Sequence, residues 1–296
     1  MVYLLIVSLI WAFSFGLIKT NLTGIDPALV STIRLAIALL VFLPFLRLKN
    51  VSKKLALQLL LIGALEFGLM YIFYNFSFQS LKAYEVALFT IFTPFYVALL
   101  HNLIQKRWNT VYVLTAILAV AGTAVIKYAD ITRPGLLLGF SFVQGSNICF
   151  AIGQVLYRKT MLQHPEVKDR DIFAVLYTGG ALIALAIALV LVKWNEVNIT
   201  STQWWNLAYL GALASGFGFF LWNYGARRTN AGALAVFNNL KVPLSITVSL
   251  LFFHEKTNLT SLLIGGLVIL LALLINQVYE KRVTARVEPN SSNSVL

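Results

Sequence analysis

Residues 55–78 read LALQLLLIGALEFGLMYIFYNFSF, an apolar run whose one charged side chain is Glu66. About 20 such residues cross the hydrocarbon core of a bilayer as a helix, within a range of roughly 17–25. This run is predicted to span a membrane, and it does not stand alone. Working outward, the same reading gives ten predicted spans: 3–19, 27–46, 55–78, 86–104, 110–127, 136–157, 172–192, 204–225, 231–253 and 259–278. Asp26-Pro27 opens the second, Asn109-Thr110 the fifth, and Arg133-Pro134-Gly135 separates the fifth from the sixth. Residues 281–296 form a polar tail.

The composition agrees. Of 296 residues, 59% are hydrophobic and 11% charged, against roughly 25% charged in an ordinary soluble domain. So few charges cannot wet the surface of a soluble enzyme, and mean hydropathy is +0.81. The single cysteine, Cys149, excludes an intrachain disulfide and a cysteine-based metal site. The net charge of +12 would ordinarily point to nucleic acid, but its distribution explains it otherwise. With the N-terminus inside, fifteen cations fall in the inner connections and tail and six in the outer ones, leaving Arg34 and Lys241 within spans. That bias predicts both termini in the cytoplasm and removes the need for a nucleic-acid partner.

The ten spans divide into two sets of five. Tyr74-Asn75-Phe76-Ser77 precedes Pro94 as Trp222-Asn223-Tyr224-Gly225 precedes Pro243. The first and sixth spans correspond as well, Trp11-Ala-Phe-Ser-Phe-Gly-Leu-Ile-Lys19 against Phe150-Ala-Ile-Gly-Gln-Val-Leu-Tyr-Arg158. An odd number of crossings per half turns the halves upside down relative to each other. The predicted fold is therefore all-α and integral to the membrane, with two inverted five-helix repeats, residues 1–130 and 131–280. Inverted repeats characterise secondary transporters, which bind their substrate near the midplane between the halves.

Intramembrane polar residues mark the candidate site. An ionisable group at bilayer depth costs about 2.5–3.5 kcal/mol on insertion scales and usually faces the bundle interior or a wet cavity. Lys241, two residues before Pro243, is a candidate to bind a substrate carboxylate. Glu66 is a candidate for a coupling proton, a substrate ammonium or an ion pair with Lys241. Arg34, within reach of the outer interface, is read as a structural charge that anchors helix contacts. Gln144, Asn147, Ala151 and Gln154 share one face of the sixth span. Asn75, Asn238 and Gln154 are expected to bond a polar head, with Tyr71, Trp11 and Phe92 lining an aromatic wall. The alternative for these uncharged groups is plain helix–helix bonding and packing.

Several of these stretches resemble the drug/metabolite transporter superfamily, in its EamA-type ten-helix branch. They are LIWAFSFGLIK at 9–19, Pro27 through Arg34, the Pro94 helix, CFAIGQVLYRK at 149–159, YLGALASGFGFFLWNYGAR at 209–227, and ALAVFNNLKVPLS at 233–245 running into His254-Glu255-Lys256. The resemblance covers nearly the whole chain to about residue 278. It implies a ten-helix carrier of small metabolites, often amino acids or related amines and carboxylates, frequently outward, in a bacterial inner membrane. Multidrug and nucleotide-sugar carriers belong to the same superfamily.

Other classes find less support. There is no Walker-type nucleotide motif, no HExxH or GxSxG, no pair of intramembrane aspartates and no filter motif. An intramembrane enzyme, a sensor and a channel are the competing readings. The expectation is a carrier that is not an enzyme and takes no cofactor or metal. It works within the lipid bilayer on a small-molecule substrate, as a monomer or homodimer.

Overall fold

The computed structural model describes residues 2–104, 134–228 and 231–254, with scattered positions in 114–121 and 260–279. Among the described residues there are helices and no strands. The predicted spans 110–127 and 259–278 and the tail 281–296 lie outside the continuously described residues.

Among the described residues the helices form eight rods. Helix α1 is Val2–Asn21 and α2 is Pro27–Phe42, closed by a tight turn at Leu43–Phe45. Helix α3 is Lys53–Ser80, and α4 covers 83–104 with a 3₁₀ turn at Thr90–Phe92. Helix α5 is Leu136–Gln163 and α6 is Asp169–Leu191. Helix α7 covers 201–227 and α8 is Ala231–Leu251. By length and composition, α1, α2 with its turn, α3, α5 and α6 can each cross a membrane.

Local chemistry sets the ends. The Asp26 carboxylate accepts the Ala28 N–H at 2.7 Å ahead of Pro27, so the first turn of α2 begins capped and with a fixed φ. Ser52 does the same for α3 through the Leu55 N–H at 3.1 Å. Thr200 and Gln203 form a reciprocal capping box at the start of α7.

Two helices carry a wide π-turn, Ala64–Leu69 in α3 and Leu210–Phe217 in α7. A π-turn disturbs the regular ladder and exposes carbonyls, which need other donors. In α7 the Trp11 indole N–H donates to the Ala214 carbonyl at 2.9 Å, and the Tyr177 hydroxyl reaches the carbonyls of Ser215 and Gly216 at 2.7 Å. Beside the π-turn of α3, Gly63 and Gly179 let α3 and α6 cross with backbones touching. A Cβ on either would collide with the other helix's carbonyl, at Leu176 or Leu60.

The helices pack in exchanged pairs. Helix α1 lies on α7 and α8, while α5 lies on α3 and α4. The π-turn of α7 packs on α2, and that of α3 packs on α6. Between these pairs, α2 meets α6 and α4 meets α8. The polarity of the assembly is inverted relative to a soluble protein. Leu40, Leu57, Leu61, Leu137, Leu189 and Val190 are exposed, whereas Arg34, Glu66, Asn75, Asn147, Gln154 and Lys241 are buried. An apolar exterior around a polar interior suits lipid as the solvent.

Candidate functional site

Between α1, α2, α3, α4, α5, α7 and α8 lies a small cavity of about 60 Å³. Two cations reach it, Arg34 from α2 and Lys241 from α8, and no acidic residue is among its described lining. The Arg34 guanidinium stacks 4.3 Å from the Tyr71 ring centroid. It donates to the Tyr71 hydroxyl at 2.9 Å, to Ser215 Oγ at 3.2 Å and to Asn75 Oδ1 at 3.5 Å. Each of these partners is neutral, so its charge is solvated but not balanced. The Lys241 ammonium lies 5.3 Å from the Trp11 ring and 5.7 Å from Phe150, distances that allow cation–π attraction. Among the described residues it has no ion-pair partner.

The rest of the wall divides by chemistry. Trp11 packs on Phe219, Trp222 and Phe150 with centroids 4.9, 5.2 and 6.4 Å apart, giving one aromatic side. Opposite in character are Thr90, Thr93, Ser146 and Asn147. Thr93 donates to Asn147 Oδ1 at 3.1 Å, and the Asn147 amide donates to the Phe89 carbonyl at 2.9 Å and to Gln144 Oε1 at 3.1 Å. That part of the sixth-span polar stripe therefore ties α5 to α4.

A second, larger cavity of about 500 Å³ lies where α1 and α3 end and α2 begins, beside residues 191–199. Lys19, Asp26, Gln79, Lys193 and Glu196 give it a polar rim, and Asn75 stands in its wall. Asn75 also accepts from Arg34 and donates to Ser31 Oγ at 2.8 Å. One asparagine thus joins this vestibule to the cation of the central cavity.

At the other end of the bundle there is an ion-pair cluster instead. The Asp169 carboxylate, 4% exposed, accepts from the Tyr157 hydroxyl at 2.6 Å and from Arg227 at 3.1 and 3.2 Å. Arg228 adds a contact at 3.5 Å. The cluster ties together the end of α5, the start of α6 and the end of α7.

Of the sequence candidates, the structure brings Lys241, Tyr71 and Trp11 to the central cavity. Arg34, expected as a structural anchor near the interface, points inward and joins them. Asn75 sits between the cavity and the vestibule. Phe92 is buried against Phe140, with centroids 6.0 Å apart, and is not part of the lining. Asn238 and Gln154 are also buried outside the lining, and among the described residues Asn238 Oδ1 and both amide atoms of Gln154 have no hydrogen-bond partner. Glu66 does not pair with Lys241; it accepts the Asn223 amide at 2.8 Å. Ser215, Thr93 and Asn223 were not singled out by the sequence, although Asn223 aligns with Asn75 in the repeat and carried a signal.

The EamA-like transporter family matches residues 1–128 and 137–277. A "Probable biotin transporter" of Pseudomonas aeruginosa is 39% identical over 96% of this chain and 99% of its own length. A "Biotin transporter" of Escherichia coli strain K12 is 37% identical over 94% of this chain and 93% of its own. A solved structure titled "Crystal structure of protein" superposes with a TM-score of 0.67 at 16% identity, covering 95% of this chain and 97% of that one. The chain belongs to the EamA-like transporter family: it is an integral membrane protein and a transporter.

Proposed function

From that membership as premise, we propose that the chain carries a small monocarboxylate across the bacterial inner membrane by alternating access, and that the substrate is biotin. The observation that carries this reading is the central cavity's charge, two buried cations with no acid among the described lining residues. Unpaired cations are costly at bilayer depth, and a substrate carboxylate offsets both. Biotin's uncharged ureido ring needs neutral donors and acceptors, which Thr93, Ser146 and Asn147 supply. Its alkyl chain needs an apolar wall such as Trp11, Phe150 and Phe219. The names of the two relatives point to the same substrate. An amino acid is the second reading, but its ammonium would meet no acid there.

The remaining architecture follows the sequence expectation: ten spans, two inverted repeats at 1–130 and 131–280, and both termini cytoplasmic. In support, the helix contacts exchange consistently between the halves, each half has a π-turn at the same place, and the family match falls in two blocks. On this topology the vestibule faces outward. At about 500 Å³ it has the size of a small-molecule site, whereas the 60 Å³ centre admits a substrate only as helices part. Asn75, Tyr71, Trp11 and Lys241 are the proposed binding residues, with Arg34 added. Asn238, Gln154 and Phe92 would act behind the lining or after the helices move.

The test is tracer biotin exchange in proteoliposomes. Truncating one partner of a buried charge pair costs about 2–5 kcal/mol, so K241A should weaken biotin binding by at least about thirtyfold, with membrane insertion intact. K241R should retain part of it. Unchanged exchange in K241A would remove Lys241 from the site.

A further inference from the structure

Away from the central cavity, Glu66 is 0% exposed and Asn223 1%. The Asn223 amide N–H donates to Glu66 Oε1 at 2.8 Å. The other halves of both groups, Glu66 Oε2 and Asn223 Oδ1, have no hydrogen-bond partner among the described residues. With the carboxyl ionised, both orphans are acceptors and neither can satisfy the other. A carboxylic acid meets a primary amide differently, with the amide N–H on the acid carbonyl and the acid O–H on the amide carbonyl. One proton on Glu66 gives this pair the donor it lacks.

The neighbourhood is built for that group. Gly153 of α5 is hydrogen-sized because a methyl there would collide with the Glu66 side chain. Among the described residues, the groups that face Glu66 bring no cation. Helix α5 contributes the Tyr157 phenol and α6 the Tyr177 phenol, both near enough to feel its charge. Helix α7 contributes neutral Asn223. On α2, Arg34 is engaged with Tyr71, Ser215 and Asn75, and on α8 Lys241 makes no ion pair with Glu66. A buried carboxylate with no cation beside it is expensive, and protonation removes the charge.

We infer that Glu66 is a proton-binding site, with Asn223 as its hydrogen-bond partner, and that its proton travels with the carboxylate substrate. This rests on the monocarboxylate reading above. The charges then form a simple cycle. An empty carrier with Arg34 and Lys241 charged and Glu66 ionised has one net positive charge in its core. A carrier holding both the carboxylate and the Glu66 proton has the same net charge. Binding either ligand alone changes it by one unit, which disfavours crossing half-loaded. For movement into a negatively charged cell interior, the proton also cancels the substrate's charge. The proton is taken from water on the side of loading and returned to water on the other; no bond in the substrate changes.

Tracer biotin in proteoliposomes separates the steps. Wild-type protein should accumulate biotin against its gradient when the compartment outside is acidified. E66Q should keep biotin counterflow, within a fewfold of wild type, and lose accumulation. Equal accumulation in E66Q and wild type, or counterflow without any proton-driven accumulation in wild type, overturns the proposal. Should E66Q lose both activities, infrared difference spectroscopy of the intact wild-type protein decides. A protonated-carboxyl band that titrates away as pH rises and shifts in N223A supports the site; absence of such a band rejects it. If wild type gives no biotin counterflow at all, the substrate reading falls, while the infrared titration of substrate-free protein still judges Glu66.

Discussion

The two ends of the bundle are finished differently. At one end, Lys19 near the end of α1, Asp26 ahead of α2 and Phe78-Gln79 near the end of α3 surround a vestibule of about 500 Å³. At the other, α5 passes Tyr157 and Arg158, α6 begins at Asp169, and α7 finishes at Arg227-Arg228, with the carboxylate closing the gap. In the sequence match of the first and sixth spans, Lys19 stands against Arg158. Asp26 spends its carboxylate capping its own helix, whereas Asp169 reaches across to α5 and α7. One end thus holds an open cavity and the other a buried ion-pair cluster, the asymmetry that the proposed alternating access requires of any single state. The two asparagines matched in the sequence also differ, Asn75 serving a cation and Asn223 an acid.

Breaking the latch should have the largest effect. Removing one partner of a buried ion pair leaves the others uncompensated and costs about 3–5 kcal/mol. D169A should therefore lower thermal stability and move the population toward the state open at the latch end. Single cysteines at Val30 and Ala174, in a chain with Cys149 replaced, report this through thiol labelling. Val30 lines the vestibule and Ala174 is 1% exposed about one turn into α6. Labelling should favour Val30 in the parent and turn toward Ala174 with D169A; an unchanged ratio would mean that the cluster does not hold the end closed.

A smaller change sharpens the same point. Arg228 is nearly half exposed and touches Asp169 only at 3.5 Å, so its share of the latch is that of a surface pair, about 0–1 kcal/mol. R228A should shift stability slightly and leave the labelling ratio close to that of the parent. An effect as large as that of D169A would place the closing force at Arg228 instead of Arg227 and Tyr157.

Much of the fold was legible because hydrophobic length reports membrane depth directly. The span predicted at 55–78 is found as Lys53–Ser80, and that at 172–192 as Asp169–Leu191. Hydropathy ends the sixth span at 157, ahead of Arg158 and Lys159, yet α5 continues to Gln163. Hydropathy marks where lipid stops, and a helix can run on into water. The site was less legible because depth does not fix rotation. Arg34 lay within reach of the interface by position, but the turn of α2 aims it at Tyr71 and Ser215. Phe92, expected in the aromatic wall, lies in a 3₁₀ turn at Thr90–Phe92 that changes the phase of α4. The π-turns of α3 and α7 likewise leave no mark in hydropathy, though that of α7 sets the carbonyls that hold Trp11 and Tyr177.

The central claim is that two buried cations select a carboxylate, and one competition experiment addresses it without altering the protein. Tracer biotin counterflow in proteoliposomes is measured against unlabelled biotin and against its methyl ester, which keeps the ring system and chain but carries no charge. Biotin should abolish the tracer signal, and the ester should compete at least about thirtyfold less well, the equivalent of 2 kcal/mol or more for a lost buried charge contact. Equal competition by acid and ester would contradict the account.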